Sequence, residues 1–112
     1  MSTAPQSAFR FEVEESTDEA GNKVTTIKCH GRVVSDTAGQ LKELVKPLIA
    51  IGGRILIDLG DVDHMDSSGL GTLVGLKVSA VNAGYCRIEL VNLTPRIADL
   101  LRITKLTQLF AS

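Results

Sequence analysis

The residues with the clearest chemical potential are Asp66-Ser67-Ser68-Gly69-Leu70-Gly71. Arg54-Ile55-Leu56-Ile57-Asp58-Leu59 upstream reads as a buried strand, and Leu70 to Ala83 downstream reads as a helix. Two hydroxyls and a glycine therefore stand where a strand hands over to a helix N-terminus. The first N–H groups of a helix lack intrahelical acceptors, and that end carries roughly half a positive charge. An oxyanion or a phosphate suits such a place. Four roles follow for the serines. One is helix capping by Asp66, Ser67 or Ser68. Another is nucleophilic catalysis with His64 or His30 as base, but His64-Met65-Asp66-Ser67 is no Gly-x-Ser-x-Gly elbow, and sequence adjacency does not make Asp66 the orienter of a histidine. A third is binding of a phosphate ligand, against which stands the lack of a Gly-x-x-x-x-Gly-Lys-[ST] loop or a lysine near the turn. The fourth is phosphorylation, which adds about -1.5 to -2 charges. The helix N-terminus would welcome them, while Asp61, Asp63 and Asp66 would repel them. The fold would survive, and a partner would read the change.

Other candidate groups have simpler readings. Asp58, Asp61, Asp63 and Asp66 lack the spacing and closing glutamate of a calcium loop, and read as solvated or turn-forming. His30 and His64 are too few and scattered for zinc. Cys29 and Cys86 lie in apolar strand-like runs and read as two buried thiols rather than a redox pair.

The serines need elements to hold them. Phe9, Phe11 and Val13 alternate with charged residues, the period of a half-buried strand. Glu15 to Asn22 reads as a polar turn, with Glu14 to Asn22 a long acidic hairpin loop, and Lys23 to Gly31 as the return strand. Ser35 or Asp36 is placed to cap the next helix. Leu41, Leu44, Val45, Leu48 and Ile49 recur at helical spacing, Pro47 should kink or shorten that helix, and Gly52-Gly53 ends it. Arg54 to Leu59 is apolar enough for a sheet centre covered on both faces, followed by a loop from Gly60 to Asp66. In the second helix Leu70, Leu73, Val74, Val78 and Val81 form the expected stripe, closed by Ala83-Gly84. Cys86 to Val91 is a strand. Thr94-Pro95 opens a third helix with Ile97, Leu100 and Leu101 facing inward, and Leu106 to Phe110 is a terminal segment that pairs or packs. The expected order is β-β-α-β-α-β-α. It gives a single α/β domain with a mixed sheet, a leading antiparallel hairpin and then parallel crossover units, flanked by helices.

A chain of 112 residues holds one domain, expected over 9–112 behind a flexible tail at 1–8. The net charge of -1 lacks the basic excess of a nucleic-acid binder, and 4% aromatics with no Trp leave little to stack on. No apolar run is long enough for a membrane span, and the polar start from Met1 to Ser7 is no signal segment, so a cytoplasmic location is expected. The second helix has an unusual surface. Lys77 is its one charge, and its outer face carries Gly71, Thr72, Gly75 and Ser79. Interior glycines cost about 0.5–1 kcal/mol each, so either a partner or close packing within the domain is expected there.

Ile55-Leu56-Ile57-Asp58-Leu59, followed by Val62-x-x-Met65-Asp66-Ser67-Ser68-Gly69-Leu70-Gly71, resembles the signature of the STAS domain, and more narrowly of bacterial anti-sigma factor antagonists. Gly31-Arg32-Val33 and Val91-x-x-x-Thr94-Pro95 extend the likeness over roughly residues 9–111. The resemblance implies partner switching. The unmodified antagonist binds an anti-sigma factor that is also a serine kinase. The kinase phosphorylates the first serine of the motif, here Ser67, and a serine phosphatase restores the active form. The chain is then a binder and substrate, not an enzyme, and has no cofactor, since ATP and magnesium belong to the kinase. No nucleic acid, membrane or small-molecule substrate is implied. The expected partner surface is Asp66, Ser67, Ser68, Gly69, Thr72 and the junction at Ser35 and Asp36. Arg32 and Val34 stand where many such antagonists carry acidic residues. The alternative is a STAS scaffold that is never phosphorylated, within a signalling or transport complex.

Overall fold

The computed structural model describes residues 9–110; the tail expected at 1–8 lies outside them. The elements are β1 (Phe9–Thr17), β2 (Lys23–Val33), α1 (Ala38–Ile51), β3 (Gly53–Met65), α2 (Ser67–Ala83), β4 (Cys86–Val91) and α3 (Pro95–Ile103). The order is the expected one. The sheet runs β1-β2-β3-β4, with β1 antiparallel to β2 and the other two pairings parallel. α1 and α2 supply the crossovers that parallel neighbours require.

One face of the sheet is apolar. Ile27, Cys29, Ile55, Ile57, Leu59 and Ile88 are buried there, in one cluster with Leu41, Val45 and Ile49 of α1, Leu70, Leu73 and Ala80 of α2, and Ile97 and Leu101 of α3. The other face is a ladder of cross-strand charges. Lys28 Nζ lies 3.2 Å from Glu14 Oε2, and the Arg54 guanidinium grips Glu89 through Nε and Nη2 at 2.9 and 3.1 Å. β3 is therefore internal to the sheet, as its sequence suggested, but contrary to that reading it is not covered on both faces. Arg54 and Asp58 alternate with the isoleucines, and Leu56 between them is only half-buried.

Other local differences have physical causes. The hairpin loop is short: Glu14, Glu15, Ser16 and Thr17 stay in β1, opposite Thr26, Thr25, Val24 and Lys23. The turn is held by Asp18, whose Oδ1 accepts from Ala20 N and Asn22 N at 3.0 and 2.8 Å. α1 runs on past Pro47 to Ile51. Neither Ser35 nor Asp36 caps it; its N-cap residue is Thr37. In α2, Val78 and Val81 are exposed, and the buried stripe is Leu70, Leu73, Leu76, Lys77 and Ala80. Lys77 reaches across to donate to the Ile88 carbonyl at 3.0 Å. The third helix starts as expected, with Thr94 Oγ1 accepting from Ile97 N at 3.2 Å. Leu106 and Phe110 then pack on the core without joining the sheet. Cys29 and Cys86 are free. Burial pushes the Cys29 thiol up to about 12, which makes it a small hydrophobe; Cys86 is only half-buried.

Candidate functional site

The segment Gly60 to Met65 has the polarity of a loop, yet it continues β3. β4 leaves β3 at the Asp58–Val91 pair. β2 continues alongside, pairing His30 with Asp61, Gly31 with Val62, Arg32 with His64 and Val33 with Met65. Two register shifts between β2 and β3 accompany this extension, each with one extra residue on the β3 side, as bulges often do where a strand must aim a functional residue. Only Val62 and Met65 of the extension turn inward. Its other side chains face water, which is why it looks like a loop.

At the end of this ribbon the chain turns into α2. Asp66 N donates to the Val33 carbonyl at 3.3 Å, and Asp66 O accepts from Leu70 N at 3.0 Å. The Asp66 side chain is the N-cap: Oδ1 accepts from Gly69 N at 3.0 Å. Its other oxygen accepts from Ser35 N at 3.3 Å. One carboxylate thus joins the helix start to the loop before α1. The Gly69 N–H, helped by those of Ser35 and Ser68, holds this carboxyl below its ordinary range, against the opposing effect of desolvation. The loop is fixed from the other side by Thr37, buried, whose Oγ1 donates to Arg32 O at 2.6 Å and accepts from Val34 N at 3.0 Å.

Gly69 is buried, and a Cβ built on it would fall 2.1 Å from the Val33 carbonyl oxygen. Only glycine lets α2 start this close to the end of β2. Of the residues expected on the partner surface, Gly69 is thus the buried one that sets the approach of the two elements. Ser35, Asp36, Ser67 and Ser68 are exposed, while Asp66 and Thr72 are partly so. Neither Ser67 nor Ser68 has a side-chain hydrogen bond to another described residue. His30 is engaged elsewhere, with both ring nitrogens against carboxylates.

The aspartates have separate tasks. Asp58 accepts from Gly60 N and Asn92 Nδ2, both at 2.9 Å. Asp61 faces His30, Asp66 caps α2 and Asp63 is exposed. Among the described residues, no cluster of three or more His, Cys, Asp or Glu is arranged to hold a metal.

Beyond the serines, a groove of about 530 Å³ runs between α1 and α2. Lys42 and Lys46 form one wall, Gly71, Thr72, Gly75 and Ser79 the other, and Ser68 lies at its rim. A Cβ on Gly71 or Gly75 would meet nothing within 4 Å. Close packing within the domain is therefore not what keeps them glycine. Neither lysine has an ion-pair partner among the described residues. Sequence reasoning missed this basic wall. Its signal was the i, i+4 spacing of Lys42 and Lys46 on the polar side of α1.

A family model described as the STAS domain matches residues 14–111. An anti-sigma-B factor antagonist of Staphylococcus aureus (strain NCTC 8325 / PS 47) is 32% identical over 102 residues, which span 90% of this chain and 91% of that protein. The solved anti-sigma factor antagonist SpoIIAA in its unphosphorylated form superposes with a TM-score of 0.71 at 22% identity, covering 88% of this chain and 84% of that one. The Bacillus cell fate determinant SpoIIAA in the phosphorylated form gives a TM-score of 0.68 at 22% identity, covering 88% and 86%. At that identity the last two establish the fold. No helix among the described residues is long and apolar enough to cross a membrane.

Proposed function

The chain belongs to the STAS-domain family, and we propose that it is an anti-sigma factor antagonist whose partner is an anti-sigma factor serine kinase and whose switch is phosphorylation of Ser67. The observation that carries the reading is the contrast at the start of α2. Asp66, Gly69 and Thr37 are bonded inward and fix the corner. Ser67, between Asp66 and Gly69 in sequence, is exposed and has no side-chain bond to another described residue. Its hydroxyl is free for a kinase to reach, on a backbone that does not depend on it.

A phosphate on Ser67 would lie near the positive end of α2 and beside the Asp66 carboxylate. The first contact favours it and the second repels it, so the corner keeps its shape and the charge points outward. A partner seated on Ser35, Asp36, Asp66, Ser67, Ser68 and Thr72 would have to bury that charge, at a cost that separates the complex. The groove beside Lys42 and Lys46 continues this surface along the glycine side of α2. A serine phosphatase would reset the switch. The name of the S. aureus relative and the two solved forms of SpoIIAA support this reading.

A phosphopeptide map of the protein purified from its own host is the test, paired with capture of the kinase with and without ATP. Phosphate on Ser67, and a complex that ATP dissolves, are the expected results. Ser67→Ala should stay bound in ATP, and Ser67→Glu should bind at least tenfold more weakly, about 1.4 kcal/mol. Phosphate on Ser68 would move the site by one residue. No phosphate in any growth condition, with a stable complex indifferent to ATP, would replace the switch by a scaffold.

A further inference from the structure

His30 lies on the open face of the sheet, on β2, between the strands on either side. Its Nδ1 is 2.6 Å from Asp61 Oδ2 on β3, and its Nε2 is 2.7 Å from Glu12 Oε2 on β1. An ionised carboxylate only accepts hydrogen bonds, so both ring nitrogens must donate, and the ring is an imidazolium. The bond to Asp61 is the main cause that raises the His30 pKa, opposed by desolvation and supported by the bond to Glu12.

The position of this bridge matters. β4 stops pairing at Asp58, and β1 starts opposite Gly31. Past the Gly31–Val62 pair the sheet among the described residues is β2 and β3 alone, and that ribbon carries the turn into α2. The β2–β3 register slips on both sides of the His30–Asp61 and Gly31–Val62 pairs, once between Lys28 and His30 and again between Gly31 and Arg32, each time by one extra residue on β3. The backbone ladder is therefore interrupted where the ribbon leaves the sheet.

We propose that His30 is the positioning residue of the Ser67 corner: its charged ring, bridging Glu12 and Asp61, pins the β2–β3 ribbon, and loss of one ring proton to solvent frees a carboxylate and loosens the segment Asp61 to Gly69. The charged groups around the ring are accounted for strand by strand. β1 presents Glu12 and also Arg10, which pairs directly opposite His30 and sits 3.8 Å from Glu12. On β2 the neighbour Lys28 is held by Glu14. β3 presents Asp61, while Asp58 is taken by Asn92 and Gly60. A neutral ring would leave Glu12 and Asp61 as two like charges with one donor between them. The sign follows from the raised pKa. The stabilisation is complete below the ordinary histidine value near 6.5 and is lost as pH rises through the higher folded value. The consequence for partner binding rests on the function proposed above; the positioning itself does not.

The test needs no partner. Ring titration by NMR and amide hydrogen exchange are measured on the full chain between about pH 6 and pH 9, for wild type, His30→Gln and Asp61→Asn. In wild type, His30 should titrate above about 6.5. Protection of amides 61–69, corrected for intrinsic exchange, should fall through the same midpoint, while amides 55–58 stay level. His30→Gln, with one donor group and no titration, should show the lower protection at every pH and no step. Asp61→Asn, the second variant should the first fail to fold, should move the midpoint down. A wild-type midpoint at or below 6.5 would overturn the proposal. So would a protection step that survives in His30→Gln.

Discussion

β3 passes through two environments. From Arg54 to Asp58 it is paired on both sides, by β2 and by β4, and Ile55 and Ile57 are sealed under the helices. From Gly60 to Met65 it has β2 alone, and four of its six residues are exposed. The inner half has the burial that stabilises a fold. The outer half has little of its own, and is held by discrete polar contacts: the His30 bridge, the Asp66 cap and the Thr37 stitch. Sites that bind and release partners are drawn from such less stable regions of a scaffold. On the function proposed above, stability and recognition occupy successive lengths of one strand.

Substitutions in each half should part the two properties, and a shared response would erase the distinction. The largest effect on stability is expected inside. Ile57→Ala should cost about 2–5 kcal/mol in denaturant unfolding, with partner affinity unchanged for the fraction that stays folded. Gly69→Ala, which drives a methyl into the Val33 carbonyl, should cost about 1–3 kcal/mol. Its partner affinity, measured by calorimetry on folded protein, should fall further than that loss explains, because the Ser67 corner is displaced.

Asp66→Ala should lower Tm by less than either, and should speed exchange at the amides of Gly69 and Ser35, the two N–H groups that lose their acceptor. Asp66→Asn keeps an acceptor but no charge. The wild-type carboxyl sits below its ordinary value of 3.8, so its contribution is full above that pH and lost as pH falls through the folded value. The acid limb of an unfolding titration should be shallower for Asp66→Asn. The smallest change is of opposite sign. Gly71→Ala and Gly75→Ala each relieve a helix-interior glycine in open space, and should stabilise by about 0.5–1 kcal/mol. If the groove is used by a partner, both should weaken its binding even as they raise Tm. Unchanged binding would remove the groove from the interface.

The inner half of β3, α1, β4 and the start of α3 were legible because burial leaves a periodic mark: Leu41, Val45 and Ile49 repeat at helical spacing, and Thr94-Pro95 is a local signal that needs no tertiary context. The outer half was read as a loop because Gly60, Asp61, Asp63 and His64 carry no such mark. What makes it a strand is β2 beside it, a partner thirty residues away in sequence. The α2 stripe was misdirected by Val78 and Val81, which match a helical period as well as Leu76 and Ala80 do. Lys77 lies inside because its ammonium finds the Ile88 carbonyl, a contact that residue type argues against. The junction at Asp66 and Ser67 was legible because a strand-to-helix turn is a local event. The glycine side of α2 was noticed, but the lysines facing it belong to another helix.

The glycine of Asp66-Ser67-Ser68-Gly69 answers to the carbonyl of Val33, and Asp66 answers to two backbone amides. Neither requirement involves modification. A descendant of this chain that exchanged both serines would still build the corner, fold and resemble its relatives. Drift could remove the proposed switch in one step and leave the architecture standing. Within this motif the aspartate and the glycine record shape, and the hydroxyls stay free of that demand.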